Sequence, residues 1–161
     1  MEPQISRLSE LLKNQHLTLA VAESCTGGLL GGCVTSVAGS SSYFRGGVIA
    51  YDNGVKHDIL GVPADALERC GAVSAPVAEA MAAGAAKLFG CACAMSVSGI
   101  AGPDGGTAEK PVGLVFVGVF CRGGTLSRKF VFGGDRDAVR SQSVAAAVDL
   151  LIETLEKPVG G

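Results

Sequence analysis

The sequence predicts an α/β domain with helices on both faces of a mixed sheet, a single three-layer α/β/α unit spanning residues 1–161. Three observations lead there. Short apolar runs of strand length alternate with segments of helical periodicity, and glycine and proline punctuate the boundaries. The last two apolar runs are separated only by Arg122-Gly123-Gly124, the mark of a C-terminal β-hairpin. With 161 residues, 48% of them hydrophobic and 5% aromatic, the chain suits one domain whose core is Ala, Val and Leu.

In order along the chain, Ile5, Leu8, Leu11 and Leu12 recur at helical spacing, so residues 3–14 read as an amphipathic helix. Residues 18–22 (TLAVA) follow as a short buried strand. It runs through Glu23-Ser24-Cys25-Thr26-Gly27-Gly28 into an apolar, glycine-rich helix ending near Val37, which puts Ser24 at a helix N-terminus. A second strand covers 46–51 (GGVIAY), and a helix over 54–60 carries Lys56. Pro63 can open the next helix and Gly71 close it. Ser74 caps an alanine-rich helix to Phe89 that Gly90 stops, and residues 91–98 form the third strand. Residues 99–111 (GIAGPDGGTAEKP) have no apolar periodicity, and loops of that length in a small domain usually carry function. Strands 112–121 and 125–132 make the hairpin; Asp135 then caps a helix to about Glu156, with Val139, Val144, Val148, Leu151 and Ile152 on its apolar face.

The charge balance narrows the partners. A net charge of -2 without a basic stripe argues against nucleic acid, so any phosphate must be held by a few local groups. No apolar run is long enough for a membrane span and the first residues lack a signal pattern, so no membrane contact and a cytoplasmic location are expected. The six cysteines contain no CxxC, and several lie in apolar runs where a reduced thiol packs as a small hydrophobe; neither a disulfide framework nor a zinc site is expected.

Ligands of such folds bind beyond the carboxyl ends of the strands, and three loops fall there. The first carries Ser24, whose hydroxyl is either a nucleophile or a plain helix cap; Thr26, Gly27 and Gly28 beside it bring backbone donors that suit an oxyanion or a phosphate. Cys25 is a rival nucleophile but has only His16 and His57 as prospective partners, neither with an evident acidic orienter. The second loop carries Tyr51 and Lys56, five positions apart. A lysine serves as a base near neutral pH only where burial lowers its pKa, and the ordinary alternative is a solvated side chain. The third loop, with Ser98, Gly99, Gly102, Gly105 and Gly106, has neither the GxGxxG nor the GxxxxGK[ST] spacing. On physics alone, the three loops indicate a small-molecule or phosphate site.

Four strings extend this reading: AESCTGG (22–28), SSSYFRGGVIAYDNGVK (40–56), SGIAGPDGGTAEKPVGLVFVG (98–118) and FGGDRDAVR (132–140). They resemble, in order and spacing, the signature blocks of the CinA C-terminal-domain family, whose members act as nicotinamide-nucleotide amidohydrolases. The resemblance implies a stand-alone form of that domain, a homo-oligomer that needs no metal or organic cofactor. It implies hydrolysis of the carboxamide of nicotinamide mononucleotide, with Ser24 as nucleophile and Tyr51 and Lys56 assisting proton transfer. Backbone near Thr26 to Gly28, or near Ser98 to Gly99, would then hold the oxyanion. Arg45, Arg136 and Arg140 are candidates for the nucleotide phosphate, and the glycines at 102, 105 and 106 for the ribose-phosphate. The alternative is a nucleotide-binding module without catalysis, linked to competence or DNA damage.

Overall fold

The computed structural model, described over residues 1–159, contains α1 (Glu2–Asn14), β1 (Leu19–Glu23), α2 (Leu29–Thr35), β2 (Phe44–Ile49), α3 (Asn53–Asp58), α4 (Ala64–Cys70), α5 (Ala75–Phe89), β3 (Cys93–Gly99), β4 (Leu114–Cys121), β5 (Gly124–Val131) and α6 (Arg136–Glu156). The expected α/β class is what forms. Its five strands lie in the order β2-β1-β3-β4-β5; β1 runs parallel to β2 and β3, and β4 and β5 are antiparallel.

β1 is buried along its length, so successive residues supply opposite faces of the sheet. Leu19 and Val21 join the cluster under α1, α2 and α6, whereas Ala20 and Ala22 join the one under α5. These two apolar clusters, one per face, define the three layers. Alanines on the α5 side let helix and sheet approach closely. At Gly118 of β4 an added Cβ would collide with the Ala78 carbonyl of α5, so only glycine fits that rung. The hairpin turn forms as expected: Arg122 and Gly123 both have positive φ, at 51° and 86°, the backbone of a tight two-residue hairpin turn.

The sequence reading needs one correction that matters for function. α2 begins at Leu29 rather than beside Ser24, because Gly28 is left-handed at φ 112° and breaks the helix there. Ser24 therefore sits in an irregular turn between β1 and α2, and the helix stops at Thr35, short of Val37. Ser74 does precede α5, but its hydroxyl donates to the Gly71 carbonyl at 2.8 Å instead of capping the helix.

Candidate active site

At the carboxyl ends of β1, β2 and β3 lies a cleft of about 260 Å³, walled by Ser24, Cys25, Tyr51, Asn53, Lys56, Ala72, Val73, Ser98 to Gly102, Asp104, Gly105 and Arg136. Its centre is a contact between two residues far apart in sequence. The Lys56 Nζ lies 3.1 Å from the Ser24 Oγ, 2.7 Å from the Ala50 carbonyl and 3.3 Å from the Tyr51 carbonyl. Short helix α3 makes this possible: Asp52 caps it through the Gly54 N–H, and the Lys56 stem, 1% exposed, points back under the end of β2.

Burial lowers the Lys56 pKa from its ordinary value, and the field of Asp52 opposes the shift only in part. A neutral amine has two hydrogens and one lone pair. With these three contacts a neutral amine directs its hydrogens at the two carbonyls and its lone pair at the Ser24 hydroxyl, whereas an ammonium donates to all three. The 3.1 Å between Nζ and Oγ is within the reach a general base needs, about 3.2 Å from its nitrogen to the oxygen that carries the proton.

Ser24 is held as firmly as its partner. Its N–H donates to the Val97 carbonyl at 2.9 Å, which ties the turn to β3. Beneath the turn, Glu23 is 2% exposed and its carboxylate collects four donors: Thr26 Oγ1 at 2.6 Å, Gly28 N at 3.2 Å and Leu30 N at 2.8 Å on one oxygen, and Gly31 N at 3.0 Å on the other. A buried carboxylate survives only with such partners, and here it ties the Ser24 turn to the first turn of α2. From the other side, Arg140 donates to the Cys25 carbonyl at 3.1 Å and the Thr26 carbonyl at 3.2 Å. Cys25 itself is a poor nucleophile: burial pushes its thiol up to about 11. Among the described residues neither imidazole is hydrogen-bonded to it: His57 points its Nδ1 at the Val62 carbonyl, 2.8 Å away, and His16 lies with Lys13 and Arg45.

Comparison with known proteins places this architecture. The family model described as the CinA C-terminal domain matches residues 2–155. The chain belongs to the CinA family. A CinA-like protein of Citrifermentans bemidjiense is 51% identical over 150 residues, which cover 93% of this chain and 36% of that protein. A CinA-like protein of Nostoc is 50% identical over 157 residues, 37% of its length. The chain thus spans about a third of the curated relatives it matches. Among solved structures, the competence/damage inducible protein CihA of Agrobacterium tumefaciens is 40% identical with a TM-score of 0.93, over 97% of this chain and 95% of that one. The competence damage-inducible protein A of Klebsiella pneumoniae is 32% identical with a TM-score of 0.91, over 95% of each chain.

Within this CinA domain the residues singled out from sequence divide into groups. Ser24, Lys56, Ser98, Gly99, Gly102, Gly105 and Arg136 meet at the cleft. Tyr51 reaches it too. Its carbonyl contacts Lys56, while its hydroxyl accepts from Arg136 Nη2 at 3.2 Å at the rim, so the phenol has no hydrogen bond to Ser24 or Lys56. Two of the backbone donors expected at Thr26 to Gly28 are engaged: Gly27 N–H goes to the Ser24 carbonyl and Gly28 N–H to Glu23, which also takes the Thr26 hydroxyl. Arg140 serves the turn's carbonyls instead of the cleft. Gly106 backs onto Val112. Arg45 lies near the start of β2, at the opposite end of the sheet, beside Lys13 and His16.

Three contributors escaped the sequence reading. Glu23 had a signal, an acidic residue at a strand end just before a glycine-rich turn. Asn53 and Asp104 line the cleft from loops whose polar residues are indistinguishable in sequence from solvated ones. No helix among the described residues is long and apolar enough to cross a membrane.

Proposed function

We propose that this protein hydrolyses the carboxamide of nicotinamide mononucleotide, releasing ammonia and nicotinate mononucleotide, by acyl transfer to Ser24. The observation that carries the reading is the buried Lys56 amine 3.1 Å from the Ser24 hydroxyl, with two backbone carbonyls in hydrogen-bond reach of the same nitrogen. Lys56 takes the hydroxyl proton as Ser24 Oγ attacks the amide carbon, and returns a proton to the departing nitrogen. The pyridinium ring withdraws electrons from the amide and makes the carbon easier to attack. Water then hydrolyses the acyl-enzyme, with Lys56 acting as base a second time.

The backbone N–H groups of Thr26 and Gly99 are those offered for the oxyanion, since the donors of Gly27 and Gly28 are engaged and Ser98 lies in a hydrogen-bonded rung of β3 and β4. Arg136, fixed by the Gly102 carbonyl at 2.7 Å and the Tyr51 hydroxyl, is the cation offered for the nucleotide phosphate. The neighbouring glycines at 102 and 105 let backbone approach the ribose. The resemblance of the Ser24 and Lys56 blocks to the amidohydrolase family supports the choice of substrate.

The test is ammonia release from nicotinamide mononucleotide by the purified chain, with the Ser24→Ala protein as control. Turnover in the parent and none in the control is the expected result. A parent that binds the nucleotide but releases no ammonia would replace the enzyme with a binding module.

A further inference from the structure

Cys93 and Cys121 face each other across the β3–β4 ladder. The backbone bonds define the kind of rung they occupy. Arg122 N–H donates to the Ala92 carbonyl at 3.2 Å, one rung beyond the pair, and Ile100 N–H donates to the Leu114 carbonyl at 2.9 Å at the far end of the same ladder. Hydrogen-bonded rungs therefore alternate from 92/122 to 100/114, and Cys93/Cys121 is a rung of the other kind. Such rungs bring opposing Cα atoms to about 4.5 Å with the side chains close together. That spacing falls within the range a disulfide spans, about 4.4–6.8 Å between Cα atoms. The two Sγ atoms are 3.3 Å apart, and among the described residues no other cysteine pair is hydrogen-bonded.

We propose that Cys93 and Cys121 are an oxidative modification site that closes reversibly to an intramolecular disulfide, with Cys121 as the attacking thiol and Cys93 as the resolving one. The two differ in access. Cys121 ends β4 beside Arg122 and is 8% exposed, whereas Cys93 is fully buried. The contact with Cys93, helped by the Arg122 charge, favours the thiolate at Cys121, and the same contact together with burial raises Cys93. The co-reactant is a low-molecular-weight disulfide such as oxidised glutathione. The Cys121 thiolate attacks one of its sulfurs, the S–S bond of the oxidant breaks, and one thiol leaves. Cys93 gives its proton to solvent and attacks the Cys121 sulfur, which expels the second thiol. Two protein thiols are oxidised, and one oxidant disulfide is reduced to two thiols. The rung sits at the amino end of β3, while Ser98 and Gly99 of the cleft sit at its carboxyl end, so closure leaves the cleft itself unmodified.

The competing thiols are less reactive or less well placed. Burial raises Cys25, Cys33 and Cys91, and Cys70 is hydrogen-bonded to no thiol among the described residues.

The full chain is incubated with oxidised glutathione near neutral pH, alkylated without reductant and mapped by peptide mass spectrometry. A Cys93–Cys121 linkage with loss of two hydrogens, reversed by dithiothreitol, is the expected result. Cys93→Ser should trap glutathione on Cys121, and folded Cys121→Ser should leave Cys93 unmodified. Free thiols at 93 and 121 under conditions that modify Cys33 or Cys70 would overturn the proposal. So would a lasting glutathione adduct on Cys121 in the parent, or modification of Cys93 in the folded Cys121→Ser protein. Should either variant fail to fold, the parent map alone decides.

Discussion

The carboxyl ends of β1 and β2 and the α6-facing side of the β4–β5 hairpin belong to one sheet, yet they hold charge in opposite ways. At the strand ends Glu23 and Lys56 are 2% and 1% exposed, and every partner of theirs is backbone or a neighbouring hydroxyl. On the hairpin, Arg128 pairs with Glu153 of α6 at 2.8 Å, with both side chains about half exposed. Water screens the second pair and leaves its members replaceable, whereas desolvation makes the first two groups depend on specific partners and shifts Lys56 toward the neutral amine. Chemistry collects where charge has been removed from water, and the ion pair on the hairpin is ordinary surface.

The largest effect to test this contrast is Ser24→Ala. It should lower kcat for deamidation by about 10³-fold or more while the fold survives, since the N–H that ties the turn to Val97 remains. Near-parent turnover with unchanged circular dichroism would remove the serine from the chemistry.

Lys56→Arg should cost about 10²–10⁴-fold, because a guanidinium does not release its proton and cannot reproduce the amine's three contacts. In the parent, burial lowers the Lys56 pKa, and the proposed mechanism needs the neutral form. kcat/KM should therefore be lost as pH falls through that lowered pKa and be complete well below the ordinary lysine value of about 10.4. A flat profile, or a rising limb that survives in Lys56→Arg, would reassign the lysine to electrostatic binding.

Glu23→Gln sharpens the comparison from the stability side. The amide keeps an acceptor on one oxygen but turns an N–H₂ toward either Gly31 or the other three donors. We expect a loss of about 1–3 kcal/mol, read as a Tm several degrees lower, with a fall in kcat as the Ser24 turn loosens. Arg128→Ala on the hairpin should shift stability by no more than about 1 kcal/mol, because that pair is solvated. Equal effects from these two variants would erase the distinction between the regions.

The smallest catalytic effect should come from Tyr51→Phe. The phenol contacts Arg136 and not the Ser24–Lys56 pair, so kcat should change by less than about tenfold and KM should carry most of the loss. A large kcat defect with intact binding would restore a proton-transfer role to the hydroxyl.

The sequence alone determined the alternation of strands and helices, the hairpin and the three loops at the strand ends, because apolar period and glycine or proline placement act over a few residues. It also singled out Ser24 and Lys56 through the family blocks. Only the tertiary structure decided that Lys56 is buried. An isolated lysine reads as solvated, and its burial depends on α3 folding back under Ala50. The same holds for Glu23: its position was legible, but the four donors it gathers come together only when α2 starts late, at Leu29. Arg45, Arg136 and Arg140 carry the same charge and were equal in the sequence. The sheet separates them, leaving Arg45 at its far end, Arg140 on the carbonyls of the Ser24 turn and Arg136 at the cleft. Which arginine faces a ligand is a matter of strand direction and helix phase, long-range properties that local sequence does not encode.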